Sequence, residues 1–404
     1  MATQYVFHLG NHPELSAAEL EAMVGHAVEH SGNVALTRLP EGVTPHALMR
    51  ELGGCVKISE IVGVGKNPLE IIIETLKTKV PEGKIEFGLN IYPFNKKALA
   101  EGIRAIKEEL KERGRSVRFL NQEENLPSAT IEKSGILKKG TDMNIVTLGN
   151  RRFVTRTIEV QPFDTYRSRD YDKPMRLPHD GMLPPKLALM MINLARHERS
   201  EVSMGNKRSR SDTLSSPLTL FDPFCGSGTI LGEAMLKGMK AIGSDVDANA
   251  VKAATKNLSM LSETVSAMLQ EPHIFVKDAI ALAPLRPPPD LVVSELDLGP
   301  PLIRPASITR IEGIQNNLMP LYRKFLNALA PLLKSGTPVV LAFPLHYAAS
   351  TSPTTAAIPH PLRNLNQLLQ ETGFKSHRTL TYHRPAQAVG REIRVLERLP
   401  SFHP

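Results

Sequence analysis

Phe221-Asp-Pro-Phe-Cys-Gly-Ser-Gly-Thr229 joins a strand to a helix. Ahead of it, Pro217-Leu-Thr-Leu-Phe221 is short and apolar, as a buried strand is. Behind it, Ile230, Leu231, Ala234, Met235 and Leu236 recur at helical spacing, and Gly238 ends the run. Gly226 and Gly228 permit positive φ and bare backbone, so a ligand can approach the chain closely. Asp222 sets a carboxylate at the strand's end. That suits a ligand with a positively charged amino group better than a phosphate. The phosphate-binding patterns G-x-G-x-x-G and G-x-x-x-x-G-K-[ST] do not match here.

The residues that follow extend the pattern. Met239-Lys-Ala-Ile-Gly-Ser-Asp245 reads as a second strand ending in an acid. That acid lies about 20 residues past the turn, where an α/β nucleoside site places the carboxylate that binds ribose hydroxyls. Asp247 is a second candidate, or the cap of a helix over Ala248–Leu258. A third strand, His273–Lys277, leads to Asp278, placed to accept a hydrogen bond from an adenine amino group. One Asp at a strand end is usually a turn residue; three beside one Gly-rich turn need another explanation. Pro287-Pro-Pro-Asp290 then leads into Leu291-Val-Val-Ser294, and Thr337–Phe343 is a fifth strand. Thr379–His383 and Glu392–Glu397 make a closing antiparallel pair. The expected fold is α/β: a doubly wound, mostly parallel sheet, with ligands at the carboxyl ends of its strands. Asp222, Asp245, Asp278 and Glu295 all fall there.

On these residues the chain resembles class I S-adenosylmethionine-dependent methyltransferases. More closely, it resembles the THUMP-domain tRNA guanine-N2 methyltransferases. Tyr5-Val-Phe-His-Leu-Gly10, Pro13-Glu-Leu-Ser16 and Glu19-Leu20 are similar to that family's N-terminal segment. Gly181-Met-Leu-Pro-Pro-Lys-Leu-Ala188 with Met191-Ile-Asn-Leu-Ala195 resembles the helix before its first strand, near the methionine end of the cofactor. Arg384-Pro385 and Val389-Gly-Arg-Glu-Ile393 resemble its C-terminal hairpin. The resemblance implies a Rossmann-like methyltransferase sheet and S-adenosyl-L-methionine as cofactor. It places the cofactor on Asp222, Phe224, Gly226, Gly228, Thr229, Asp245 and Asp278. It also implies tRNA as substrate, methylated on a guanine N2 at position 10. Eukaryotic relatives work with a small zinc-binding activator subunit.

Composition agrees. The 404 residues suffice for two or three domains, and a net charge of +8 favours a polyanionic partner. The two cysteines, Cys55 and Cys225, offer neither a disulfide framework nor zinc spacing, which fits a reducing compartment. No apolar run approaches the length of a membrane span, and no signal-peptide pattern follows Met1, so a cytoplasmic protein is expected. The i,i+4 histidine pairs His8/His12 and His26/His30 have no further ligand cluster beside them, so no metal site is expected.

Three parts are expected. Residues 1–75 read as a small α+β domain, with Ser16 and Glu19 as a capping box. Residues 76–165 resemble a THUMP RNA-binding domain, including an amphipathic helix over Lys96–Arg113. Their basic residues group as Arg113, Arg115 and Arg118; Lys133, Lys138 and Lys139; and Arg151, Arg152 and Arg156. Of these, Arg113, Arg115, Lys138, Lys139, Arg151 and Arg152 are the expected RNA contacts; the plain alternative is a solvated basic face. Residues 166–404 are the catalytic candidate, interrupted by a polar insert, Glu198–Ser216, that reads as a flexible loop.

The family pattern breaks at the fourth strand. Enzymes that methylate exocyclic amino groups usually carry Asp or Asn, then Pro-Pro, then an aromatic residue. The amino lone pair is delocalised into the base, so an acid or amide must hold the N–H groups and realign the nitrogen, while the ring stacks on the flipped base. Here the strand ends Ser294-Glu-Leu-Asp-Leu-Gly-Pro-Pro-Leu302. Glu295 takes the acid's place, with Asp297 assisting. Leu296, Asp297 and Leu298 replace Pro-Pro and the aromatic; Pro300-Pro301 would shape the pocket floor. Tyr347 or Tyr382 is a replacement ring. Arg391 and Arg384 are placed to meet tRNA backbone or to pair with Glu392 and other acids. The leading expectation is a tRNA guanine-N2 methyltransferase. The alternatives are a catalytically silent tRNA-binding protein, or a methyltransferase acting on another base or on DNA.

Overall fold

A computed structural model describes residues 3–121, 123–171, 173–175, 182–205, 217–265, 269–349, 357–385 and 387–400. The chain forms two units, Met1–Arg167 and Ser168–Pro404.

The first unit opens with β1 (Gln4–Leu9), α1 (Pro13–Val24), β2 (Glu29–Ser31), β3 (Val34–Arg38), α2 (Pro45–Glu51) and β4 (Cys55–Val64). It continues with α3 (Pro68–Lys79), β5 (Ile85–Tyr92), α4 (Lys96–Glu112), β6 (Val117–Phe119), α5 (Ser128–Ser134) and α6 (Ile136–Lys139). Then come β7 (Thr141–Leu148), β8 (Arg151–Val160) and α7 (Phe163–Tyr171). One sheet runs β2-β3-β1-β4-β8-β7-β5-β6. β5 is parallel to β6 and to β7; the other pairs are antiparallel. The expected boundary between residues 75 and 76 falls inside α3, and β4 pairs with β8 from Lys57↔Val160 to Val64↔Phe153. The two N-terminal segments therefore share one sheet. α4 is amphipathic as its spacing predicts: Asn95 Oδ1 caps Ala98 N at 3.0 Å, and Leu99, Ile103, Ile106 and Leu110 enter the core.

One local expectation, the capping box, needs correction here. α1 starts at Pro13, the position where a missing N–H costs nothing. Ser16 lies within the helix and its hydroxyl donates to His12 O at 2.9 Å. Glu19 is fully buried and accepts the amides of Gly53 and Gly54 at 2.8 and 2.7 Å, so it braces a loop instead of closing a capping box. The histidine pairs do not share a helix face, because Gly25 ends α1 before His26. His26 hydrogen-bonds Val24 O and Thr37 Oγ1, and His8 hydrogen-bonds Ser59 Oγ. Among the described residues no metal-holding cluster occurs, and no helix is long and apolar enough to cross a membrane.

The second unit begins with α8 (Pro185–Gly205), β9 (Thr219–Asp222), α9 (Thr229–Leu236), β10 (Lys240–Asp245), α10 (Ala248–Thr264) and β11 (His273–Val276). It continues with β12 (Leu291–Glu295), α11 (Ile308–Leu329), β13 (Pro338–Ala348), β14 (Ile358–His360), α12 (Leu365–Glu371), β15 (Phe374–Tyr382) and β16 (Val389–Arg398). The sheet order is β11-β10-β9-β12-β13-β16-β15, with β14 beside β13. The strands from β11 to β13 are parallel, and β16 and β15 close the sheet antiparallel. This is the doubly wound arrangement read from the sequence. α11 buries Tyr322, Phe325, Leu326 and Leu329 against Phe221, Val292, Leu341 and Phe343. α8 carries the expected Met191–Ala195 run but goes on through Gly205, so the first part of the predicted flexible insert is helical. Residues 206–216 lie outside the described residues.

Removing the Glu19 carboxylate leaves two buried amides without acceptors. Glu19→Ala should lower unfolding stability by roughly 2–4 kcal/mol, read as an earlier urea midpoint. An unchanged midpoint would contradict the bracing role.

Candidate active site

The Gly-rich turn is tight for a physical reason. Cys225 N donates to Ser244 O at 2.9 Å, and Gly228 N donates back to Cys225 O at 2.8 Å. Gly226 and Gly228 have φ of 49° and 84°. A Cβ on Gly228 would stand 3.2 Å from Ala254 Cβ, whereas one on Gly226 would enter open space. Gly226 lines a cleft with Met182, Leu183, Asp222, Phe224, Ser227, Thr229, Ile230 and Glu295. The turn, the end of β9 and the end of β12 thus share one concavity. A separate polar groove between α11 and α12, about 390 Å³ and lined by Gln315, Arg323 and Gln367 among others, contains none of these residues.

The strand-end acids are held in different ways. Asp222 is 1% exposed and accepts Ser294 Oγ–H at 2.6 Å and Phe224 N–H at 3.2 Å. Burial pushes its carboxyl up to about 7; the two hydrogen bonds oppose the shift, and the carboxylates of Asp245 and Glu295 add to it. Asp245 accepts Gly226 N at 2.9 Å and Asp247 N at 3.0 Å, which sets its carboxylate beside the turn. Asp247 caps α10 through Asn249 N at 2.8 Å, the plainer of its two readings. Asp278 is exposed and accepts Ile280 N at 3.1 Å, starting a 3-10 turn over Ala279–Ala281. Phe224 packs edge-on against Phe325, with centroids 5.0 Å apart. Thr229 Oγ1 accepts Lys173 Nζ–H at 2.6 Å.

β12 ends at Glu295, opposite Ala342 of β13. Glu295 Oε1 accepts Arg391 Nε–H at 2.7 Å; the two side chains are 17% and 4% exposed. Of the acids open to Arg391, Glu295 is the one it pairs with, and Glu392 bonds Arg394 Nε at 2.7 Å. The reason is strand alternation: neighbours in β16 point to opposite faces. Asp297 is exposed and its carboxylate accepts Gly299 N at 2.8 Å, so the structure places it in the loop turn and not in the cleft lining. Pro300 and Pro301 are exposed as well. Neither proposed replacement ring stands in that lining. Tyr382 is buried with its hydroxyl accepting Arg384 Nε–H at 3.0 Å, and Tyr347 stacks on His383 at 3.7 Å.

The expected RNA contacts divide. Arg115 donates to the carbonyls of Val80, Pro81 and Gly83 at 2.6, 2.9 and 3.1 Å, clamping a turn. Arg113 bonds Glu109 at 2.7 Å and Glu74 at 3.3 Å. Lys138 and Lys139 are exposed at the end of α6, with Lys139 3.9 Å from Glu86. Arg151, paired with Glu29 and standing over Phe153, and exposed Arg152 open β8. The eight residues of β7 lie between these last two pairs; at about 3.3 Å per residue the separation is roughly 25 Å. Lys138 and Lys139 are therefore separated in space from Arg151 and Arg152 by the length of β7.

With this geometry in view, the likeness to known proteins is specific. A family model described as rRNA methyltransferase AviRa matches residues 197–272. The tRNA (guanine(10)-N2)-dimethyltransferase of Methanothermobacter thermautotrophicus is 26% identical over 289 residues, 68% of this chain and 70% of that protein. The enzyme of the same name from Methanocaldococcus jannaschii is 28% identical over 167 residues, 40% of this chain and 42% of that one. The chain is related to the tRNA guanine-N2 methyltransferases. The crystal structure of TrmN from Thermus thermophilus superposes with a TM-score of 0.54 at 17% identity, covering 98% of this chain and 100% of that one. The fold is the Rossmann-like methyltransferase fold.

Some residues that build the site escaped the sequence reading. Ser294 bonds Asp222; its signal was a hydroxyl in an otherwise apolar strand. Asn257 on α10 bonds Met175 N, Met175 O and Ser227 O at 3.0, 3.1 and 3.0 Å, tying the segment before the cleft to the turn. Arg169 bonds Glu233 of α9 at 2.9 Å. Burial still pushes the Glu233 carboxyl up to about 7, outweighing Arg169 and the nearby lysines.

The raised Asp222 carboxyl has a pH signature. Its value moves from 3.8 unfolded to about 7 folded, so the folded state binds the extra proton in that window and loses stability as pH rises through it. Asp222→Asn should therefore stabilise the cofactor-free protein at about pH 8 far more than at about pH 5. Thermal melts at both values check this; equal effects would contradict it.

Proposed function

We propose that this chain is an S-adenosylmethionine-dependent tRNA methyltransferase that places a methyl group on the exocyclic N2 of a guanine, at position 10. The observation that carries the reading is the shared cleft: Glu295 from β12 faces the same space as the Gly226–Gly228 turn and Asp222. The relatives' names supply the tRNA and the guanine position.

The residues present fit the cofactor. Gly226 leaves open space where a side chain would intrude, and Asp222 is a buried carboxyl with two neutral donors, poised for a cation. S-adenosylmethionine, when bound, supplies a methyl group already activated on a sulfonium sulfur. Asp222 would hold its amino group, Asp245 would accept ribose hydroxyls, and Asp278 would accept the adenine amino group. Phe224, Gly228 and Thr229 shape the wall. A cation beside Asp222 favours its ionised form, so cofactor binding below about pH 7 is coupled to proton release.

On the acceptor side, Glu295 accepts an N–H of the guanine amino group. That turns the nitrogen lone pair out of conjugation with the ring and toward the methyl. Positioning of this kind supplies much of the catalysis when the leaving group is already activated. Asp297, fixed on Gly299 N, acts from the loop as a secondary acid near the entering base. Residues 76–165 serve as the RNA-holding module, with Lys138 and Lys139 at one end of β7 and Arg151 and Arg152 at the other spanning two stretches of phosphate. Arg113 and Arg115 contribute positive potential while bracing their own turns.

The test is to incubate the protein with unmodified tRNA and methyl-labelled S-adenosylmethionine, then identify the labelled nucleoside. N2-methylguanosine is expected. Label in another nucleoside moves the acceptor; no label, with cofactor and tRNA both bound, favours a silent binding protein or a missing activator subunit. Asp245→Ala should weaken cofactor affinity by about ten-fold or more. Glu295→Ala should spare that affinity and lower turnover by roughly a hundred-fold or more. Normal turnover in Glu295→Ala would remove that acid from the mechanism.

A further inference from the structure

The fourth strand lacks the two prolines that stiffen the corresponding turn in amino-directed methyltransferases, yet its acid is not loose. Three contacts among the described residues help to hold it. Leu296 N donates to Ala342 O at 3.0 Å, which continues the β12–β13 ladder past Glu295. Tyr322 OH, buried on α11, donates to Asp297 O at 2.5 Å and fixes the next peptide. Arg391 Nε donates to Glu295 Oε1 at 2.7 Å. Register explains the reach of Arg391. Ala342 stands between Glu295 and Ile393, and Arg391 lies opposite Pro344, one same-face step further along. The guanidinium crosses β13 over two residues without polar side chains.

We infer that Arg391 is a positioning residue for methyl transfer, holding Glu295 ionised and in one orientation, and that with Tyr322 it supplies the rigidity a Pro-Pro turn would otherwise give. This rests on the reading of Glu295 as the acid that meets the acceptor. The closing hairpin then becomes part of the active site, because β16 carries the cation that the strand-four acid needs.

The charges around Glu295 make the role testable. Asp222 at the end of β9 is coupled to Glu295, and Asp245 at the end of β10 couples to that same Asp222. β13 contributes His346, on the same face beyond Pro344, which burial and nearby His360 hold down at about 4, so it is neutral. Met182 and Leu183, ahead of α8, bound the cleft with apolar side chains. Asp297, in the loop after β12, and Glu392, on the opposite face of β16, have their own partners. Arg391 is a cation in direct contact with Glu295, Lys173 stands at the same cleft on Thr229 Oγ1, and the carboxyl of Asp222 disfavours a second negative charge nearby. An Arg fork fixes a carboxylate's direction as well as its charge, which a Lys does not.

The experiment measures kcat, KM and the pH profile of Arg391→Met, Arg391→Lys and Glu295→Gln on tRNA, with thermal melts and cofactor titration as folding controls. Arg391→Met is expected to lose kcat by on the order of ten- to a hundred-fold, with KM for both substrates within about three-fold. At saturating cofactor, where the Asp222 proton no longer limits binding, its kcat profile should gain an acid limb absent from the parent's kcat profile. Arg391→Lys should remove that limb while recovering only part of kcat. A parental kcat and pH profile in Arg391→Met, with Glu295→Gln inactive, would overturn the positioning role. Parental turnover in Glu295→Gln would instead overturn the reading of Glu295, and the role of Arg391 with it. If Arg391→Met fails to fold, Arg391→Lys decides: reduced kcat with an unchanged pH profile supports the role, and parental kcat overturns it.

Discussion

Carboxylates that converge at the ends of neighbouring parallel strands repel one another, and each acid at this sheet's edge is held by a different means. Asp222 is buried with a hydroxyl and an amide as donors, and its carboxyl is pushed up to about 7. Asp245 takes two backbone amides. Glu295 takes a guanidinium from the far side of β13. Asp278 stays in solvent. The result is a cleft whose inner wall favours a cation and whose outer acid is already neutralised. That asymmetry suits a ligand that is positive at one end and meets a neutral amino acceptor at the other.

The same constraint explains why the altered fourth strand is compatible with a working site. Replacing Pro-Pro by Leu296-Asp297 removes covalent stiffness, but Leu296 is buried and its amide extends the ladder, while Tyr322 bonds the following carbonyl. Tyr322 in turn packs edge-on against Phe343, 5.3 Å between centroids, so the loop is tied to the main core. Neither Tyr347, which faces His383, nor Tyr382, which is buried, lines the cleft; the ring that does, among the described residues, is Phe224, packed edge-on against Phe325.

The sheet and its turn were legible because their signals are local. Apolar runs between turn residues mark parallel strands, and Gly226, Gly228, Asp222 and Asp245 lie within one strand-turn-helix-strand unit. The partners of those residues were not legible. Arg391 is 96 positions from Glu295, and only the register of three strands brings them together. Glu19 resembled a capping residue because Ser16 lay three positions ahead, but Pro13 starts the helix earlier and the carboxylate bonds a distant loop. The basic residues of the first unit are close in sequence because a hairpin follows a helix. Charge runs carry no record of which end of a strand they occupy, nor that Arg115 is committed to backbone carbonyls.

The central claim is that the ends of β9, β10 and β12 form one cofactor-and-acceptor site despite the divergent fourth strand. A crystal structure with S-adenosylhomocysteine bound tests it most directly. The account predicts the ribose on Asp245, the amino group toward Asp222, and the sulfur directed at the space in front of Glu295, with Arg391 still on Glu295. A ligand bound outside this cleft, or one whose sulfur points away from Glu295, would contradict it.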